Sequence, residues 1–200
     1  MVGAAPPNDP LRGHPASRLP TAASTAAAPT RRAISPRADV GHVNLTVTDL
    51  DRAVAFYRDV IGLHVTQRDA QSAFLAAGEY HHHVALNGWD PDAEMPPAHA
   101  AGLHHFALRL PDAASLAAVV IRILQSGHKL LGATDHGVNL AVYLRDPDGN
   151  GLELMVDRPA ADWPRNPDGT IAMTLAPFDV QALLADSVAP PSAPTQARAG

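Results

Sequence analysis

Polar and apolar positions alternate along "GHVNLTV" (Gly41 to Val47), and the pattern then switches to a helical period in "DLDRAVAFYRDVIGL" (Asp49 to Leu63). Alternation with period two places successive side chains on opposite faces of a strand, whereas recurrence every three to four residues marks one face of a helix. The same progression returns in "HHFALRLPDAASLAAVVIRILQSG" (His104 to Gly127), with His42 over His105 and Asp49 over Asp112 at a constant offset of 63 residues. The chain therefore reads as an internal duplication. Asp49 and Asp112 are predicted helix N-caps, because a short carboxylate can accept from the free amides of a first turn; Gly62 and Gly127 are predicted stops.

Each copy then runs through three short strand-like segments. They are "LHVTQRD", "QSAFLAAG" and "HHHVALN" in the first copy, and "HKLLGAT", "VNLAVYLRD" and "GLELMVD" in the second. The predicted fold class is α+β, built from two tandem βαβββ modules over about 38–98 and 99–160. "DPDGNG" (Asp146 to Gly151) supplies the last hairpin turn, and a Pro-rich wrap with a short helix starting near Asp179 closes the domain at about 186. Two curved sheets facing each other would enclose a cleft suited to a ligand.

Outside that region the patterning stops. Residues 1–37 and 187–200 are Ala, Pro, Ser, Arg and Gly without hydrophobic periodicity, and are expected to be disordered tails. Five arginines in the first tail superficially resemble an organelle address, but the prolines oppose the required amphipathic helix, so a cytoplasmic location is expected. With 200 residues, 46% hydrophobic, the chain can bury one good core. It has neither the run of about 18 apolar residues that would cross a bilayer nor a polybasic block for nucleic acid or membrane. No nucleic acid and no membrane partner is therefore expected. There is no cysteine, so any metal must be held by His, Asp, Glu or water, and eleven histidines offer themselves.

The duplicated modules, the opening "GHVNLTV", the second "HHFAL" and the closing "DPDGNGLEL" resemble the vicinal oxygen chelate superfamily: glyoxalase I, fosfomycin-resistance proteins, bleomycin-binding proteins and extradiol ring-cleavage dioxygenases. "GEYHHHVALNGW", "DHGVNLAVYLRDPDGNGLEL" and "WPRNPDG" are most similar to the small catechol 2,3-dioxygenase-like branch. The resemblance implies metal ligands at His42, His105 and Glu153. The residues support the same choice. His42 and His105 are equivalent in the duplication, and a charge between Leu152 and Leu154 is costly unless paired or ligating. Two imidazoles and a carboxylate with open positions suit Fe(II), and also Mn(II) or another divalent ion. The resemblance favours Fe(II), with a catechol-type substrate and O2 as partners and a possible homo-oligomer.

Extradiol enzymes take an acid-base histidine from the fourth strand of the first copy. His82 is expected to fill that role, facing Glu153 across the pseudo-symmetry, with His83 as the alternative if the register differs by one. Tyr143 resembles the family's active-site tyrosine and His136 its outer histidine, although turn chemistry accounts equally well for His136. His104 is expected to point away from His105, and His64, His99 and His128 to lie at the surface or at strand ends. Phe74, Val84, Leu86, Trp89, Phe106, Leu140 and Phe178 are expected to line an apolar pocket. Two rivals share the scaffold. A glyoxalase-like isomerase or thiol transferase would need a fourth protein ligand from that same strand, where Glu79 is close in sequence; a drug-binding module would need no open metal site.

Overall fold

The computed structural model describes residues 33–97 and 101–188. The tails therefore lie mostly outside the described residues, as does His99. Two modules repeat one topology. The first comprises β1 (Val43–Thr46), α1 (Leu50–Ala55), a π-helical continuation (Phe56–Ile61), β2 (His64–Arg68), β3 (Ser72–Ala76) and β4 (Val84–Asn87), with strand order β1-β4-β3-β2. The second comprises β5 (Phe106–Arg109), α2 (Ala113–Gln125), β6 (Gly132–Asp135), β7 (Asn139–Arg145) and β8 (Gly151–Asp157), in the matching order β5-β8-β7-β6. In each sheet the outer strand β1 or β5 runs parallel to β4 or β8, and the remaining pairs are antiparallel.

Local chemistry explains the element ends. Asp49 accepts from the Arg52 amide at 3.0 Å and Asp112 from the Ser115 amide at 2.7 Å, so both predicted N-caps operate. The first helix stops at Gly62, whose φ of +96° a side chain would disfavour. Before it stops it widens, with Gly62 N donating to Tyr57 O. Sequence periodicity carries no sign of such a π turn, which differs from an α turn by a single hydrogen-bond register.

Both helices bury an apolar stripe against their sheets. Leu116, Val119, Val120 and Ile123 recur at helical spacing, and they join Val54, Phe56, Tyr57, Leu75, Leu86, Val142, Leu144, Leu152 and Leu154 in one continuous core. Polar side chains fasten one module to the other. Tyr57 donates its phenol to Asp146 at 2.9 Å, Thr48 donates both amide and hydroxyl to Asp148, and Arg52 adds a bond to Asp148 at 3.1 Å. Arg122 of α2 donates to the Val60 and Ile61 carbonyls that end the first helix. Such charge-assisted bonds contribute about 1.5–3 kcal/mol each when buried.

Four expectations change. β6 begins at Gly132, leaving "HKLL" outside the strand. A short strand, β9 (Ala176–Pro177), covers the β6 edge ahead of the terminal helix α3 (Val180–Val188). Val84 and Leu86 lie on the helix side of their sheet and are fully buried core, and Phe106 and Phe178 pack against that core, so these four do not line an open pocket. Lastly, "HHH" precedes β4. A turn through Gly78 at φ +60° brings the chain back, and of the three histidines only His83 makes backbone ladder bonds, to Leu75 O and from Val43 N.

Candidate functional site

β5, β8 and β7 lie side by side in register, with Ala107 beside Glu153 and Glu153 beside Tyr143. Their alternate residues face away from α2. On that face Glu153, only 7% exposed, brings Oε2 to 2.9 Å from His105 Nε2 and accepts from the Tyr143 hydroxyl at 3.2 Å through Oε1. Tyr143 Oη lies 2.7 Å from His136 Nε2, and His136 Nδ1 lies 3.0 Å from Thr174 O. A carbonyl only accepts, so His136 carries a proton on Nδ1. The result is a continuous chain, Thr174 carbonyl, His136, Tyr143, Glu153, His105, in which every polar atom of a buried carboxylate is matched.

Burial, followed by the charge of Glu153, pushes the Tyr143 phenol up to about 12, so the hydroxyl keeps its proton across the working range. His136 stands at the turn before β7, where Asp135 accepts from the Gly137 amide at 2.8 Å and holds the loop in shape.

His42 stands one residue before β1. Its ring centroid is 4.5 Å from that of His82, and His82 packs edge-on against Phe74 at 5.0 Å. Burial, followed by the neighbouring His42, His81 and His83, pushes His82 down from the ordinary histidine value. His81 Nδ1 is 2.8 Å from His82 Nδ1, while His83 Nδ1 accepts from the Ala77 amide at 3.3 Å. The structure thus gathers the sequence candidates into two sets: His105, Glu153, Tyr143 and His136 in the second module, and His42 with His82 in the first. Among the described residues no group of three or more His, Asp or Glu is arranged to hold a metal ion.

The registers also correct the expected symmetry. Ala107 pairs with Glu153 just as Asn44 pairs with Ala85, and Tyr143 pairs with Glu153 as Phe74 pairs with Ala85. The first-module counterpart of Glu153 is therefore Ala85, not His82, and the counterpart of Tyr143 is Phe74. Ala85 supplies no donor, and Glu79 sits exposed in the turn before β4.

His105 and Glu153 fit a divalent cation. His105 Nε2 and Glu153 Oε2 converge to 2.9 Å, close enough for one ion to be held between them. Their imidazole and carboxylate chemistry suits first-row metals.

Two features of this site were missed by sequence reasoning. His104, expected to point away, places Nδ1 2.7 Å from His105 Nδ1. Gly151 lets β8 approach that dipeptide: a Cβ there would fall on the His104 carbonyl oxygen and 2.9 Å from His105 Cβ. The glycine that follows "DPDGN" was the available signal, although in sequence it reads as turn chemistry alone.

Residues 39–154 match the Glyoxalase/Bleomycin resistance protein/Dioxygenase superfamily, and the chain belongs to that superfamily. It is 35% identical over 148 residues to a catechol-2,3-dioxygenase of Bacillus subtilis, covering 74% of this chain and 52% of the relative. It is 34% identical over 126 residues to biphenyl-2,3-diol 1,2-dioxygenase 3 of Rhodococcus globerulus, covering 62% of this chain and 65% of the relative. The chain thus spans between half and two thirds of these relatives' lengths. Glutathione transferase FosA of Serratia marcescens, 28% identical over 61% of this chain and 83% of its own length, shows the breadth of chemistry in the superfamily. Among solved structures, a glyoxalase/dioxygenase from Nostoc punctiforme superposes with a TM-score of 0.54 at 20% identity, over 69% of this chain and all of the other, a likeness of fold.

Proposed function

We propose that this chain is a metal-dependent extradiol dioxygenase that opens the ring of a catechol-type substrate with O2. The observation that carries the reading is the hydrogen-bonded chain from His105 through Glu153 and Tyr143 to His136, coupled with Ala85 at the position where a four-ligand, glyoxalase-like site would place its additional carboxylate. The dioxygenase relatives share this preference for vicinal diols by name.

His105 and Glu153 would hold the metal, with His42 as the third ligand; Fe(II) is the proposed ion and Mn(II) the alternative. A bound metal would supply Lewis acidity toward the diol and the redox path to O2. Around it, the chain's own groups handle protons and orientation. Tyr143, held protonated, presents a hydroxyl to whatever oxygen occupies the space beside Glu153. His136, with Nδ1 donating to Thr174 O, sets Nε2 2.7 Å from Tyr143 Oη and so fixes where the phenol hydroxyl stands. On the first-module side, His82 is the proposed base for a substrate hydroxyl, with Phe74 fixing its ring and burial favouring its neutral form; His83, turned to Ala77, is the weaker choice.

The test is anaerobic reconstitution with Fe(II) or Mn(II), followed by oxygen uptake and ring-fission absorbance across a panel of catechols. Stoichiometric O2 consumption with a yellow product supports the reading. Metal-dependent glutathione chemistry without O2 uptake overturns it.

A further inference from the structure

We propose that His104 is a positioning residue for His105, fixing the tautomer and rotation that turn Nε2 toward Glu153. The inference rests on the reading of His105 and Glu153 as metal ligands, and it adds a role for a residue that touches neither substrate nor metal. Consecutive residues of a regular strand point to opposite faces. His104 and His105 lie just ahead of β5, outside its regular pairing, and their rings meet edge to face at 5.0 Å between centroids with the two Nδ1 atoms 2.7 Å apart.

Two ring nitrogens at that separation need a single hydrogen between them. If both carried one they would clash, and if neither did the lone pairs would repel. A histidine that ligates through Nε2 is bare there and, when neutral, carries its hydrogen on Nδ1. With a metal in place of the hydrogen that His105 Nε2 directs at Glu153 Oε2, 2.9 Å away, His105 would donate and His104 accept at Nδ1, with the His104 hydrogen on Nε2. A partner of this kind on the far nitrogen orients a ligating imidazole and raises its basicity. Tyr143 limits the other side of the same ring, 5.6 Å away and inclined at 68°.

The backbone makes the arrangement specific. A Cβ on Gly151 would strike the His104 carbonyl oxygen and lie 3.0 Å from His105 Cα, so β8 is seated directly against the dipeptide and fixes where both rings start. His104 itself is exposed, so its replacement does not disturb the core.

The experiment compares the full chain with the variants His104→Leu and His104→Asn; Asn places an acceptor oxygen near the site of Nδ1. Mn(II) affinity is measured by calorimetry, thermal unfolding is followed in parallel, and the ring-nitrogen tautomers are read by nitrogen NMR with Zn(II) bound. His104→Leu should weaken Mn(II) binding roughly 10–100-fold with unfolding unchanged. His104→Asn should recover most of the loss, and the spectra should show the Nδ1–H form at His105 and the Nε2–H form at His104. Wild-type affinity in His104→Leu, or the Nε2–H form at His105, overturns the inference while leaving the metal site standing. If the wild-type chain binds no Mn(II) or Zn(II), the metal reading falls, and this inference with it.

Discussion

Tyr57 and Asp146, 89 positions apart in the chain, are joined by a buried hydrogen bond of 2.9 Å in which the phenol donates to Oδ2. The donor lies in the π-helical turn of the first module and the acceptor in the tight turn before β8 of the second. Asp146 spends its remaining capacity on that turn, accepting from the Asp148 and Asn150 amides and from the Asn150 side chain. One carboxylate thus shapes the hairpin that carries Glu153 and ties it to the opposite module.

Replacing Tyr57 with Phe leaves a buried carboxylate oxygen one donor short. The variant is expected to lose roughly 1–3 kcal/mol of stability, the cost of an unmet buried polar group. Urea unfolding measures it, and a midpoint equal to wild type would show that water fills the gap.

The same residue gives an alkaline signature. Burial first, and the charge of Asp146 second, raise the Tyr57 phenol well above its ordinary value. The unfolded chain releases that proton near pH 10, so above it the unfolded state binds fewer protons than the folded one and stability falls as pH rises. Stability should be level below about pH 10 on this account and decline toward the folded value; in Tyr57→Phe the decline should be shallower. Parallel denaturation series across that range provide the comparison.

Glu153→Ala removes a carboxylate held by His105 and Tyr143. Metal content after reconstitution should drop close to zero while the circular dichroism spectrum stays native. Retention of metal would exclude Glu153 from the ligand set.

Tyr143→Phe keeps the ring against His105 but breaks the link between Glu153 and His136. Metal occupancy should persist while kcat on the best catechol falls roughly 10²-fold, the scale of a lost hydrogen-bond donor to a reacting oxygen. Equal loss of metal and of turnover would instead mark Tyr143 as part of the binding structure.

Gly151→Ala puts a methyl group onto the His104 carbonyl. Parting β8 from the dipeptide is expected to cost roughly 1–3 kcal/mol by overpacking and to weaken metal binding beyond the effect on stability. Calorimetry at a temperature where the variant is fully folded separates the two effects.

Much of this was legible in the sequence because it depends on neighbours along the chain. The alternation before Asp49 and Asp112, the helical period after them and the repeat at 63 residues each depend on local geometry, and the two caps, the Gly62 stop and the β8 boundaries followed. Tyr143 could be placed beside Glu153 because a hairpin of known turn fixes which residues face each other.

What the sequence by itself determined was the module, its duplication and the residue types available for chemistry. The tertiary structure decided which of them meet. The three histidines at 81–83 were assigned to a strand, but the length of the preceding turn moved that strand to Val84, and a shift of three residues put Ala85 where an inward histidine was expected. His104 could not be separated from an ordinary outward residue until β8 was seen pressed against its backbone through Gly151. His136 meets Tyr143 through Nε2 while Thr174, 38 residues further on, accepts from its other nitrogen. Register and contacts between distant residues arise from the whole core minimising its free energy at once, and no local window of sequence contains that information.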